Sequence, residues 1–260
     1  MIKLLDLLME AQAGKKAIVM AGGAGAGKSY FVKQIRSDLQ KQGWTELNAD
    51  KYVEDKDSSM YNNLAKASNQ IDKVDLPNTI KSGKNFLYDT TATNVQRIGG
   101  IQDSGYDVMM IMIYTNPIVS FLRNFQRERK VPTVGVLSSW NNIYKNIEVY
   151  KKMFGNKFYL VPTTMSEEEK KMVGEFEKAH KENRLKDFFE DLLSSGEFKS
   201  TFRKDPSKEK TPEEIAKSKE LVNKQIDVLS GQFDTIEKQV EQLKTTDMSQ
   251  VVSKAKSFIK

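Results

Sequence analysis

The chain reads as an α/β fold: a parallel sheet covered by helices on both faces, followed by a helical C-terminal extension. Three observations carry that reading. Five apolar runs rich in β-branched and aromatic residues alternate with helical stretches up to about residue 162. The first run ends in a glycine-rich turn that opens a helix. Beyond residue 163 the sequence turns to long helical periodicity, broken by one polar stretch.

Taken in order, MIKLLDLLMEAQ has leucines at helical spacing and predicts a helix within residues 1–13. Asp6 and Glu10 interrupt it, so it lacks the unbroken apolar core of a signal peptide. Strands are expected at 16–21 (KAIVMA), 44–48 (WTELN), 85–89 (NFLYD), 106–114 (YDVMMIMIY) and 157–161 (KFYLV). Helices are expected at 28–42, over part of 51–80, at 93–103, 117–130 and 137–154. Such alternation places ligands at the carboxyl ends of the strands.

Residues 14–163 therefore form the main domain, and the remainder is accessory. Ser166-Glu167-Glu168-Glu169 and Thr211-Pro212-Glu213-Glu214 both fit a capping box and start a helix each. A helical segment at 164–199 leads through a charged linker at 200–210 to a helical arm at 211–260. In the arm Ile215, Val222, Ile226, Leu229, Phe233, Ile236, Val240 and Leu243 follow a heptad rhythm. Two coverings fit that seam: a second chain, as a homodimer or partner protein through residues 211–245, or the arm's own domain.

Composition excludes several classes. There is no cysteine, hence no disulfide and no thiolate metal site. A single histidine, His180, excludes a histidine metal cluster and reads as surface and inert. No run of about 18 apolar residues occurs, so no membrane span is expected and a cytoplasmic protein is. The net charge of +6 is uneven. Residues 1–163 hold 22 Lys and Arg against 15 Asp and Glu, the rest 19 against 20. A basic first half suits nucleic acid or nucleotide phosphates equally.

The opening turn defines the chemistry. Gly22-Gly23-Ala24-Gly25-Ala26-Gly27-Lys28-Ser29 fits G-x-x-x-x-G-K-[ST] between a strand and a helix, the context that motif requires. Small residues let backbone N–H groups surround phosphate oxygens, and the helix N-terminus favours anions. The loop and Tyr30 are the candidate nucleotide site. Lys28 is placed to reach the β- and γ-phosphates of ATP, and Ser29 to ligate Mg2+. Asp89, at the end of the third strand, reads as a second magnesium group. No Asp-Glu pair ends that strand and no Asn-Lys-x-Asp occurs, which disfavours motors and GTPases. Asp50, after the second strand, reads either as the base for an acceptor hydroxyl or as a helix N-cap. In FLRNFQRERKVPTVGV, Arg123, Arg127 and Lys130 share a helical face, with Arg129 to one side. A flexible segment after Val131-Pro132 then completes a basic lid over the phosphates.

The phosphate loop, Asp50, YDTTAT, Tyr114-Thr115-Asn116-Pro117 and R-x-x-x-R-x-R-x-V-P together resemble P-loop kinases of the zeta-toxin and polynucleotide-kinase group, over about residues 14–163. That resemblance implies a P-loop NTPase fold with its five-stranded sheet in order 2-3-1-4-5. It also implies an ATP-dependent phosphotransferase whose hydroxyl acceptor is a nucleic-acid 5′ end, a nucleotide or a nucleotide sugar. Asp50 resembles the group's base, and Arg123, Arg127 and Arg129 its phosphate clamps. Zeta toxins tend to carry a glutamate-bearing motif after the third strand; this chain has Asp89 followed by threonines. The opening residues also resemble those of some bacteriophage-encoded proteins. The alternative is a nucleotide-binding assembly protein whose helical tail is the working part.

Overall fold

A computed structural model of the chain describes residues 14–60, 63–127, 131–194, 211–243 and 245–260. The expected helix at 1–13, the linker at 200–210, Arg129 and Lys130 lie outside the described residues. Five strands, β1 (Lys16–Ala21), β2 (Thr45–Asn48), β3 (Phe86–Thr90), β4 (Asp107–Tyr114) and β5 (Phe158–Pro162), form one all-parallel sheet in the order β2-β3-β1-β4-β5. The register sets Ala21 beside Thr90 and Asn48 beside Asp89, so the carboxyl ends of β1, β2 and β3 finish level.

Each strand is apolar at consecutive positions because both faces are covered. In β1, Ala17, Val19 and Ala21 face one core and Ile18 and Met20 the other, the two-residue alternation of a strand. The second core is closed by α1 (Lys28–Lys41) through Phe31, Val32, Ile35 and Leu39. Beside it lies α12 (Met248–Ile259), through Val251, Val252, Ala255 and Ile259.

The segment between β2 and β3 holds α2 (Asp50–Glu54), α3 (Leu64–Gln70), a wide π-helical turn (Ile71–Asp75) and α4 (Leu76–Ser82). After β3 comes α5 (Val95–Asp103), and after β4 comes α6 (Pro117–Gln126). Two expectations change here. Helix α6 ends four residues short of 130, because Arg127 is extended (φ −80°, ψ 147°) and the Asn124 amide closes on Val131 from both sides, at 2.8 and 2.9 Å. The segment after Pro132 is α7 (Thr133–Tyr144), not a flexible stretch, and Asn146 separates it from α8 (Ile147–Phe154), so 137–154 is two helices.

Residues beyond 163 are built into both cores. Helices α9 (Glu167–Lys181) and α10 (Leu185–Ser194) bring Phe176 and Phe189 into the first core. The seam helix α11 (Pro212–Gln242) lies along α7. Phe233 meets Trp140 at 6.1 Å and Phe176 at 5.1 Å between centroids, and Gln232 Nε2 donates to Asn141 Oδ1 at 2.9 Å. Val222, Ile226, Leu229, Phe233, Ile236 and Val240 are buried there, so the chain's own domain covers the seam, while Ile215 at its start is exposed. A second chain is not needed to cover it. His180 also departs from expectation: its side chain is 11% exposed, its Nε2 lies 2.9 Å from Asp234 Oδ1, and its ring sits 5.1 Å from that of Phe233.

Candidate active site

A cleft of about 630 Å3 opens at the carboxyl ends of β1, β2 and β3. The loop between β1 and α1 is one wall, with Asn48–Asp50, Asp72, the segment 88–94, Arg97, Arg123 and Arg127 around it. Two glycines are required by the loop's path. Gly25 has φ 76°, and a Cβ there would stand 2.7 Å from the Ser120 carbonyl oxygen on α6. Gly27, with φ 96°, occupies the N-cap position of α1 in the left-handed region, where a side chain is strained. Lys28 Nζ donates to the carbonyls of Gly22 (2.6 Å) and Gly23 (3.3 Å) and faces Asp89 Oδ1 at 3.8 Å. Ser29 and Tyr30 are exposed on the first turn of α1.

The two carboxylates sit differently. Asp50 is the first residue of α2, whose N-cap is Ala49 with no side-chain cap bond, so the N-cap reading of Asp50 does not hold. Its backbone N–H instead donates to Asn48 Oδ1 at 2.8 Å, and its Oδ2 faces Arg127 Nη2 at 4.0 Å. Asp89 is only 8% exposed. Desolvation pushes its carboxyl up to about 6; Lys28 opposes that rise, and Asp50 and Glu46 add to it. Asn48 Nδ2 donates to Asp89 Oδ2 at 3.3 Å and so joins the two strand ends.

The arginines do not form the expected row. Arg123 is pinned: Nε and Nη2 grip Glu169 at 2.6 and 2.9 Å, Nη1 donates to Thr163 Oγ1 at 2.7 Å, and Nη2 donates to the Thr164 carbonyl at 2.6 Å. It is a fixed wall under the phosphate loop, because Thr163 Oγ1 also reaches the Ala26 carbonyl at 3.3 Å. Arg127, beyond the end of α6, does not share a helical face with Arg123 and turns to Asp50.

A family model described as Zeta toxin matches residues 4–154, more than half of the 260. The chain belongs to the zeta toxin family. Among solved structures it is similar to AvrRxo1-ORF1:-ORF2 with ATP, at 17% identity and a TM-score of 0.48, over 60% of this chain and 57% of that one. It thus spans little more than half of that protein's length. It is also similar to a chain of the PezAT toxin-antitoxin system of Streptococcus pneumoniae (16% identity, TM-score 0.44, 65% of this chain and 87% of that one). A third similarity is to shikimate kinase from Acinetobacter baumannii in complex with shikimate (14% identity, TM-score 0.38, 68% and 98%). None of the curated proteins compared with the chain matches it.

This zeta toxin family member carries a further cluster that the sequence reading missed. In the π-helical turn, Asp72 Oδ1 accepts from the Tyr88 hydroxyl at 2.5 Å, and Oδ2 accepts from Arg97 Nη1. Burial and the Asp72 bond push the Tyr88 hydroxyl up to about 12, so it stays a donor. Arg97 had a signal: it lies in the first turn of α5, whose N-cap Asn94 follows YDTTAT and accepts from the Arg97 N–H at 2.9 Å. Asp72 had none, because its approach depends on a π-helical turn.

Proposed function

We propose that this protein transfers the γ-phosphoryl group of ATP to a hydroxyl of an acceptor bound in the same cleft. The observation that carries this is that one cleft holds both the phosphate loop, with Lys28, and Asp50 just beyond the end of β2, two strands away across β3. In the proposed step the acceptor oxygen bonds to the γ-phosphorus and the bond from that phosphorus to the β–γ bridging oxygen breaks. ADP leaves, and the hydroxyl proton passes to the Asp50 carboxylate. Lys28 moves from its loop carbonyls to the β- and γ-phosphate oxygens and stabilises charge there. Arg127, which lies beside Asp50, would neutralise the transferring group, and Arg129 is given the same part from the sequence alone.

The donor set also suits magnesium, which prefers hard oxygen ligands: an exposed hydroxyl on Ser29 and the Asp89 carboxylate next to Lys28. When bound, the ion would neutralise phosphate charge. Ser29 would hold it directly, and Asp89, once ionised, from the strand end.

The experiment is to incubate the full chain with γ-labelled ATP, magnesium and a panel of 5′-hydroxyl DNA and RNA, nucleotides, nucleotide sugars and metabolite extract. Label in an acceptor, lost in Lys28→Ala, supports the reading; binding of ATP without transfer to anything sinks it. A tail-centred binding function loses its main support because the apolar stripe of α11 is buried in its own chain.

A further inference from the structure

We propose that Asp72 and Arg97 form the subsite that seats a vicinal diol of the acceptor, next to the hydroxyl that receives the phosphoryl group. This rests on the phosphotransfer reading above. The pair lines the cleft, with side chains 20% and 33% exposed. Among the described residues each Asp72 oxygen takes one side-chain hydrogen bond, from Tyr88 or from Arg97, and a carboxylate oxygen has room for another. Among the described residues Arg97 uses only Nη1, one of five N–H donors, for a side-chain bond. The pair therefore offers an acceptor and a donor side by side, with no net charge.

Those features select the ligand. An anion meets the Asp72 carboxylate as well as the guanidinium, and a cation meets Arg97; neither gains net charge pairing. Two adjacent hydroxyls satisfy both partners, one donating to Asp72 and one accepting from Arg97. Ser68, Thr91, Thr93 and Asn94, which line the same cleft, add neutral polar groups that suit hydroxyls. Tyr88 and the wide turn hold Asp72 in place, so the pair is ordered before the ligand arrives. The acceptor class that follows is a small molecule with a free vicinal diol: a sugar, a polyol or a ribonucleoside. A 5′-hydroxyl DNA end, whose 3′ oxygen is in a phosphodiester and which lacks a 2′-hydroxyl, has no such diol.

Periodate cleaves vicinal diols and tests this without knowledge of the acceptor. A small-molecule extract is split; half is oxidised with periodate, quenched and reduced with borohydride, and both halves then receive γ-labelled ATP, magnesium and the full-length protein. The expected result is labelled product from the untreated half and at least a 10-fold loss from the oxidised half, with transfer restored on mixing the two. Equal label from both halves overturns the diol subsite and leaves phosphotransfer standing. Label from neither half overturns phosphotransfer itself. With the labelled acceptor purified, Arg97→Ala and Asp72→Asn are each expected to raise its KM about 10-fold or more while kcat changes far less. Arg97→Lys, which keeps the charge, is expected to recover part of that loss. A fall in kcat at unchanged KM in a folded variant contradicts a binding role.

Discussion

At Asp89 two demands fall on one carboxylate. Burial favours the protonated form and lifts its pKa to about 6, while magnesium and a β/γ-phosphate site require the ionised form. The folded pKa lies above the unfolded value of 3.8, so the fold binds more protons between them, and stability falls as pH rises from about 4 to about 6. The first prediction follows: kcat/KM for ATP drops as pH is lowered through about 6. Asp89→Asn, in turn, loses activity yet gains thermal stability relative to the parent as pH rises through the same range. Thermal melts at pH 4.5 and 7.5 beside a pH–rate profile read both; a stability difference that does not move with pH refutes the burial argument. The second prediction concerns Asp50. Asp50→Asn is expected to leave ATP affinity nearly intact while transfer falls about 10²-fold, measured by calorimetry and turnover. The place of both aspartates in the cleft was legible because Asp50 follows β2 and Asp89 lies in the last two residues of β3, at the carboxyl ends where an open α/β sheet places its ligands. The Asp72–Arg97 pair was not, since it joins positions 25 residues apart through a turn that no local pattern announces.

Among elements, the junction of α6, β5 and α9 shows how a helix beyond the family match supports the phosphate loop. Glu169 closes the capping box of α9 through Ser166 and also grips Arg123, which stands beneath Gly25. The Arg123 bond holds the Glu169 carboxyl below the usual carboxylate range, so its contribution is present above about 4.5 and lost as pH falls through the lowered folded value. Gln still serves the third position of a capping box but cannot form the charged pair. Glu169→Gln is therefore expected to cost about 1–3 kcal/mol of stability and to raise KM for ATP several-fold, with kcat little changed. A variant that melts earlier but binds ATP as the parent does would make the pair structural only. The capping box and the strands were readable from sequence, each strand beginning within one residue of expectation. The end of α6 was not, because it depends on the Asn124 side chain bonding Val131 across the turn. The break at Asn146 likewise follows from backbone geometry rather than from a proline or glycine signal.

For the whole molecule, the heptad rhythm of α11 revealed a buried stripe but not what buries it, since α7 of the same chain and a helix of another chain present the same kind of apolar face. The outcome decides what truncation does. Ending the chain near Thr163 removes α9 to α12. It uncovers Trp140 and Phe121 on one side of the sheet, and on the other the apolar face that α1 and β5 share with α12. Fully burying one large apolar side chain stabilises by about 1.5–3 kcal/mol. The nine buried residues of that size on α11 and α12 alone amount to a gross burial of about 14–27 kcal/mol, as large as or larger than the roughly 5–15 kcal/mol net by which a domain is stable. The truncated chain is expected to aggregate or to lack near-UV dichroism, and the full chain to sediment as a monomer, its seam being already covered. Phe233→Asp sharpens the test by setting a carboxylate among Trp140, Phe176 and His180. If the extension is part of the core, that single change lowers the melting temperature of the whole protein in one cooperative transition. If α11 is a separable arm, it unfolds alone while the sheet and ATP binding persist, and a soluble, active chain ending near Thr163 would show the same.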